Sequence, residues 1–415
     1  MTVTLAIVGA GARGASYARI AADQGAAVVT AVADPDPARR QALADEFALP
    51  YDRVFTDWAE LASRPRLADA AIVATPDRMH VEPAVALADL GYALLLEKPM
   101  APSEEDARRI VEAATRNDIL LAVCHVLRYT PYSVKLKQLI DSGRIGDVVS
   151  VEHLEPVGWW HQAHSYVRGK WGVEAESSSM LLAKSCHDID WLGHVVGKPV
   201  EKVSSFGSLF HFRPENKPEG AGDRCVTCPV ERTCVYSAPR IYERFLGDPV
   251  FEQWPLGVLT DDVTSAGLTK ALEDGPYGEC VYNGRNDVVD HQVVNLQYEG
   301  GATASFTMTA FTGLDFRKTR VFGTRGSLDG DGRTLTLHDF LTDTREVFDF
   351  DPEGGASAAD GHGGADDELI RAFLAAVAGD DRELVNTGPD EALRSHLVVW
   401  AAERARRSGQ VVRLD

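Results

Sequence analysis

The sequence predicts an α/β protein: an N-terminal Rossmann-type, doubly wound parallel sheet and a C-terminal α+β domain with an open, mostly antiparallel sheet. Three observations predict it. An apolar run, Leu5-Ala6-Ile7-Val8, begins almost at the first residue and leads into three glycines, Gly9, Gly11 and Gly14. Strand and helix patterns then alternate as far as Cys124, as in successive βαβ units. Beyond Cys124 the rhythm changes to period-two runs joined by glycine turns such as Glu299-Gly300-Gly301. The 415 residues exceed one typical core. The expected division is 1–124 for the first domain and 125–415 for the second.

In order, the first-domain strands are expected at Thr4–Val8, Val28–Ala33, Ala70–Ala74, Ala93–Leu96 and Leu120–Cys124. Between them, Asp36 before Pro37 reads as an N-cap, and Asp57 opens another helix. Met79–Leu90 ends at Gly91, a C′ glycine, and Ser103 with Asp106 resembles a capping box. In the second domain, helices are expected at Tyr132–Asp141 and Met180–Val196, separated by a strand at Val148–His153 and an aromatic loop. The antiparallel strands expected are Val203–Phe212, Val288–Tyr298, Ala302–Phe311, Arg317–Phe322, Thr334–His338 and Glu346–Phe350. Asp351–Gly364 reads as a mobile loop, and Asp366–Ala378 and Asp390–Arg407 as closing helices. Residues 213–285, rich in proline, glycine and charge, form a long insertion that needs a stabilising reason.

Composition bounds the function. Hydrophobic residues make up 45% and charged residues 25%, ordinary for a globular protein. A net charge of −20 repels phosphate backbones, so nucleic acid is not an expected partner. No apolar run reaches membrane-spanning length, and the N-terminus enters a strand without a basic segment, so a cytoplasmic location and no membrane partner are expected. Six cysteines in such a compartment suggest thiols or a metal site.

A glycine string alone could be a turn in any α/β protein. Here a strand precedes it, a helix pattern follows, and Asp34 lies twenty positions beyond Gly14. Gly9, Gly11 and Gly14, with Ala12 and Arg13 between them, therefore read as a dinucleotide-binding turn. Asp34 would accept from a ribose 2′-hydroxyl and repel a 2′-phosphate, which favours NAD over NADP. Arg39 and Arg40 point the other way. Glu97-Lys98-Pro99 stands at a strand end that faces the cofactor crevice, where Lys98 could touch a substrate oxygen. Otherwise it is an exposed lysine after an edge strand. Proline there permits a cis bond. On the second-domain helix, Lys184 and His187 are three apart and share a face. An imidazole there can take a hydroxyl proton as a hydride leaves the same carbon.

These motifs in order resemble the glucose–fructose oxidoreductase / inositol dehydrogenase / MocA family: the Gly9–Gly14 turn, Thr75-Pro76-Asp77 with His80, Glu97-Lys98-Pro99, and His187-Asp188-Ile189-Asp190. The resemblance implies Lys98 and His187 as catalytic pair, Thr75, Pro76, His80, Glu97 and Lys98 beside the cofactor, and a homodimer or homotetramer built through the open sheet. Many members place an aspartate four residues before the histidine. Here that position is Ala183, followed by Lys184, so the proton relay or the substrate differs.

Trp160, His161, His164, Arg168 and Trp171 lie between the second-domain strand and the catalytic helix. Tryptophan faces suit sugar rings and Arg168 an anionic group. An aromatic-rich core loop explains them equally well. Arg128 and Tyr129, with His125 before them, are weaker substrate candidates. Cys225 and Cys228 have metal-ligand spacing and, with Cys234 and Cys280, could hold a structural zinc, an iron–sulfur cluster being the alternative and scattered thiols the plain one. The expected function is NAD-dependent interconversion of a secondary hydroxyl and a ketone on a sugar, sugar derivative or cyclitol, with Lys184 assisting the base or the substrate. The alternative is an NAD-dependent glycoside hydrolase working by oxidation, elimination and re-reduction. A ligand sensor would not need Lys98 and His187.

Overall fold

The computed structural model describes residues 2–350 and 363–414. The chain divides into two compact units. The first is built from the chain up to Val134 together with Cys186–His194 and Gly364–Trp400, and the second from the remaining described residues.

In the first unit, β1 (Val3–Val8), β2 (Ala27–Ala33), β3 (Val54–Phe55), β4 (Ala70–Val73), β5 (Ala93–Leu96) and β6 (Leu121–Val123) form one sheet. Its order is β3-β2-β1-β4-β5-β6, parallel throughout. The order reverses at β1 and β4, the crevice where ligands of such sheets bind. Alternate residues of each strand face opposite sides. Leu5, Ile7, Val32 and Ile72 pack with Leu369, Ile370 and Phe373 of the helix Ala365–Gly379. Ala6, Val8, Val73, Leu94 and Leu96 pack with Ala84, Leu87 and Ile110 on the other face. The expected caps are present: Asp36 accepts from the Ala38 and Arg39 amides, Asp57 from Glu60 and Ser103 from Asp106. Gly91 adopts φ +80°, as a C′ glycine does. The two-residue β3 was not expected, being too short to show alternation.

In the second unit, β7 (Val148–Pro156), β8 (Val200–Ser208), β9 (His291–Tyr298), β10 (Thr303–Thr309), β11 (Lys318–Gly323), β12 (Gly326–Gly330), β13 (Thr334–Asp339), β14 (Thr344–Asp349) and β15 (Val412–Arg413) form a second sheet. Its order is β14-β13-β12-β11-β7-β10-β9-β8-β15, antiparallel except for β7 with β10. Glycines at both ends of β12 hid it from the strand pattern.

The aromatic segment is not a loop: a helical turn at Trp159–His161 continues as a π-helix over Gln162–Arg168. Nor is the insertion unstructured. Helices Ala238–Glu243 and Ser265–Asp274 help to enclose a core of Phe212, Tyr242, Leu268 and Leu272 against Trp160, Ala163 and Val167. Of the loop expected at Asp351–Gly364, residues 351–362 lie outside the described residues. Among the described residues no helix is long and apolar enough to cross a membrane.

Candidate active site

The glycine turn is built for close backbone approach. Gly9 has φ +97°, and a Cβ there would lie 2.6 Å from the Ala74 carbonyl oxygen. A Cβ on Gly14 would lie 1.9 Å from the Gly9 oxygen, so only glycine lets the helix Ala12–Asp23 close on β1. A Cβ on Gly11 would meet nothing within 4 Å. That open space lies at the N-terminus of a helix with no side-chain cap and no acid in its first turn. Its first amide N–H groups are thus left for an anion, which fits a pyrophosphate. Asp34, buried at the end of β2, accepts from the Ala10 amide at 2.6 Å and the Asp36 amide at 2.8 Å. Each carboxylate oxygen retains a second acceptor position for a ribose hydroxyl. Arg39 pairs with Asp36 at 3.4 Å, and Arg40 donates to the Asp34 carbonyl oxygen.

Arg13 and Glu97 turn inward. The Arg13 Nε donates to Glu97 Oε1 at 2.8 Å, and its two terminal nitrogens reach Asp366 at 2.7 and 2.8 Å. The Tyr17 hydroxyl donates to the same Glu97 oxygen at 2.8 Å. Glu97 Oε2 accepts the Lys98 amide at 2.9 Å, which seats Lys98 at the end of β5. Burial opposes ionisation of Glu97, but Arg13, Lys98 and Tyr17 outweigh it and hold the carboxyl below its usual range. Tyr17 and Asp366 were not singled out from the sequence; Asp366 is 353 residues from Arg13, beyond any local signal. The His80 ring nitrogens lie 2.8 Å from the Pro99 and Thr75 carbonyl oxygens. His80 therefore ties the Thr75–Pro76 turn to the cis Lys98–Pro99 bond.

Histidines gather beside this lysine. His187 lies on the Met180–Val196 helix and is buried. Its ring is 5.8 Å from that of His125 at 81°, and the His125 ring is 5.5 Å from His396. Burial lowers His125 to about 4 and His396 to about 3, with Lys98 adding to both shifts. Burial pushes the Cys186 thiol up to about 12 against the same lysine. Lys98, Cys186, His125 and His396 thus share one electrostatic neighbourhood.

The other substrate candidates of this unit are engaged internally. Arg128 grips Asp190 with two bonds of 2.7 Å and donates to the Asn386 carbonyl oxygen. The Tyr129 hydroxyl, in the core, accepts the Asn386 amide at 3.3 Å and lies 3.4 Å from Thr387 Oγ1. Both hold the 386–387 segment, which leaves little of either for a ligand.

In the second unit the plain reading of the aromatic group prevails for three residues. Trp160 packs on Phe245, Phe251 and Trp254. His164 is pushed to about 3 by burial and Arg168, with Nδ1 3.0 Å from the Tyr242 hydroxyl. Arg168 donates to the Glu279 and Tyr236 carbonyl oxygens at 2.8 Å each. These residues build the insertion's core. His161 packs on Trp254, and Trp171, half-buried, carries the Lys170 ammonium over its ring. Lys184 pairs with Glu155 of β7 at 3.1 Å, and Arg317 lies 2.6 Å from the other Glu155 oxygen. The ion pair holds the ammonium against β7, a partner that spacing alone did not reveal.

The metal site is not formed. Cys225, Cys228, Cys234 and Cys280 line one cavity of about 20 Å³, yet among the described residues no group of three or more His, Cys, Asp or Glu could hold a metal ion. Two of the sulfurs accept hydrogen bonds: the Arg168 guanidinium donates to Cys225 Sγ at 3.4 Å, and the Gly222 amide donates to Cys228 Sγ at 3.3 Å. Burial raises the Cys234 and Cys280 thiols above their ordinary value, with Arg168 acting in the opposite direction on both. Neither zinc nor an iron–sulfur cluster is supported.

Comparison with known proteins agrees with this architecture. Residues 3–125 match a family model described as an oxidoreductase family, NAD-binding Rossmann fold, and residues 137–414 its C-terminal alpha/beta domain. The chain is 32% identical over 206 residues to a 2,7-anhydro-N-acetylneuraminate hydratase of Mediterraneibacter gnavus, covering 50% of this chain and 52% of that protein. It is 30% identical over 205 residues to an inositol 2-dehydrogenase of Corynebacterium glutamicum, covering 49% and 56%. The chain thus spans about half the length of these two curated relatives. The structure of levoglucosan dehydrogenase in complex with NADH superposes with TM-score 0.72 at 18% identity over 100% of both chains, a likeness of fold.

Proposed function

Because the chain belongs to the glucose–fructose oxidoreductase / inositol dehydrogenase / MocA oxidoreductase family, we propose that it interconverts a secondary hydroxyl and a ketone on a sugar, sugar derivative or cyclitol, with NAD as coenzyme. The observation that carries the reading is the meeting of a fixed cation with imidazoles at the strand ends. The Lys98 charge acts on His125, on His396 and on Cys186, the residue before His187. The inositol dehydrogenase and levoglucosan dehydrogenase relatives support the substrate class.

Bound NAD would supply the hydride acceptor, held by the Gly9–Gly14 turn and Asp34. His187 takes the hydroxyl proton on a ring nitrogen. Lys98 holds the same oxygen and stabilises the negative charge that develops there. Glu97 and His80 position the Lys98 turn. Asp34, with Arg39 and Arg40 engaged beside it, supports NAD over NADP. His161 and Trp171 are retained as substrate contacts. On this reading residues 1–124 bind the coenzyme and 125–415 bind substrate and carry the oligomer interface. Exposed Val149, Phe206, Phe322 and Val347 on strands of the second sheet support a homo-oligomer.

The test is a panel of sugars, glycosides and cyclitols incubated with NAD and read by NADH absorbance. Reduction of NAD by a panel member, lost in Lys98→Ala, is expected. Net hydrolysis of an aryl glycoside without NADH accumulation would replace this reading by the glycoside hydrolase.

A further inference from the structure

We propose that His125 is a positioning residue for His187, the middle of a carboxylate–imidazole–imidazole chain running Asp190–His125–His187. The inference rests on the function proposed above and supplies the proton-holding partner that Ala183, one turn before His187, does not.

The geometry is that of a relay held at one end. Arg128 fixes Asp190 through two 2.7 Å bonds, so the carboxylate cannot swing. Asp190 Oδ1 lies 3.9 Å from His125 Nε2, and the His125 and His187 rings meet edge-to-face with centroids 5.8 Å apart. Among the described residues neither His125 ring nitrogen has a hydrogen-bond partner, although the side chain is fully enclosed. A buried imidazole without partners is a costly arrangement that calls for an explanation. A carboxylate facing Nε2 selects the tautomer with its proton there and leaves Nδ1 as an acceptor. The 3.9 Å gap exceeds a hydrogen bond, and such contacts tighten when charge develops during reaction.

The chain then works as follows. His187 takes the substrate hydroxyl proton on one ring nitrogen. His125 Nδ1 accepts the N–H of the other. Asp190 accepts the His125 Nε2–H, and no proton leaves the chain. The charged groups facing His125 are Asp190, Arg128, Lys98 and Glu97, with the His396 ring tilted beside it at 57°. Asp190 is held ionised: burial works against this, but the charge and hydrogen bonds of Arg128 prevail. Its charge therefore favours the imidazolium at the far end.

The test is His125→Phe, which keeps a ring and removes both nitrogens. NMR of ring-labelled histidine in the protein without coenzyme follows the His187 titration. The proposal expects it to move to lower pH by roughly half a unit or more. With an alcohol substrate it expects kcat to fall roughly tenfold to a hundredfold, KM and the Kd for NAD staying within about twofold. If the variant does not fold, His125→Asn is measured by the same readouts. An unmoved His187 titration, or a moved titration with unchanged kcat, overturns the inference. The titration needs no substrate, so its failure leaves the proposed function standing, whereas full turnover in Lys98→Ala would remove the function itself.

Discussion

At the scale of single residues, the site depends on positions where one atom decides the outcome. Gly14→Ala would drive a methyl group to 1.9 Å from the Gly9 oxygen. The helix must then back away from β1, carrying its first N–H groups with it. We expect a loss of roughly 1–3 kcal/mol in stability and at least a tenfold weaker Kd for NAD, measured by urea unfolding and by fluorescence titration. Unchanged NAD binding would show that the turn does not hold the coenzyme. This residue, with Lys98 and His187, was singled out from the sequence because motif spacing is local. The supports were not. Asp366 bonds to Arg13 across 353 residues and Asp190 to Arg128 across 62, and a single sequence carries no sign of such pairs. His125 stood out only as a polar residue after a strand; its approach to Asp190 and to the His187 ring needed coordinates.

At the scale of elements, alternation and caps revealed the long strands and the helices with capping residues, such as the one opened by Asp36. Elements that obey no period were lost. The two-residue β3, the glycine-bounded β12 and the π-helix at Gln162–Arg168 are of this kind. The insertion misled more. Its prolines and glycines suggested a loop stapled by a metal, but tyrosines, leucines and Trp160 form an apolar core instead. Trp160→Ala is therefore expected to lower stability by about 3–5 kcal/mol while the Kd for NAD stays the same. A variant of wild-type stability whose substrate KM rises would return Trp160 to the substrate pocket. Dialysis against a strong chelator is expected to leave the unfolding midpoint unchanged.

Over the whole molecule, three buried histidines contribute to the response to acid, beside the carboxyls of Glu97 and Asp190. His125 titrates at about 4, and His164 and His396 at about 3, against an ordinary 6.5. The unfolded chain therefore binds protons that the folded chain refuses. Stability from these groups is fully present above pH 6.5 and declines as pH falls toward 4. The slope in that window should approach, at most, about 4 kcal/mol per pH unit for three protons, read from urea midpoints across the pH range. A flat profile would mean that these rings are reached by water. The proposed function requires Lys98 and His187 to act on one oxygen in one transition state. The most direct measurement is a double-mutant cycle of Lys98→Ala and His187→Gln, with kcat/KM taken on the alcohol that the panel identifies. Residues serving one step should be non-additive: the double variant should be little slower than the slower single variant. Losses that simply multiply, or a single variant with wild-type turnover, would contradict the account.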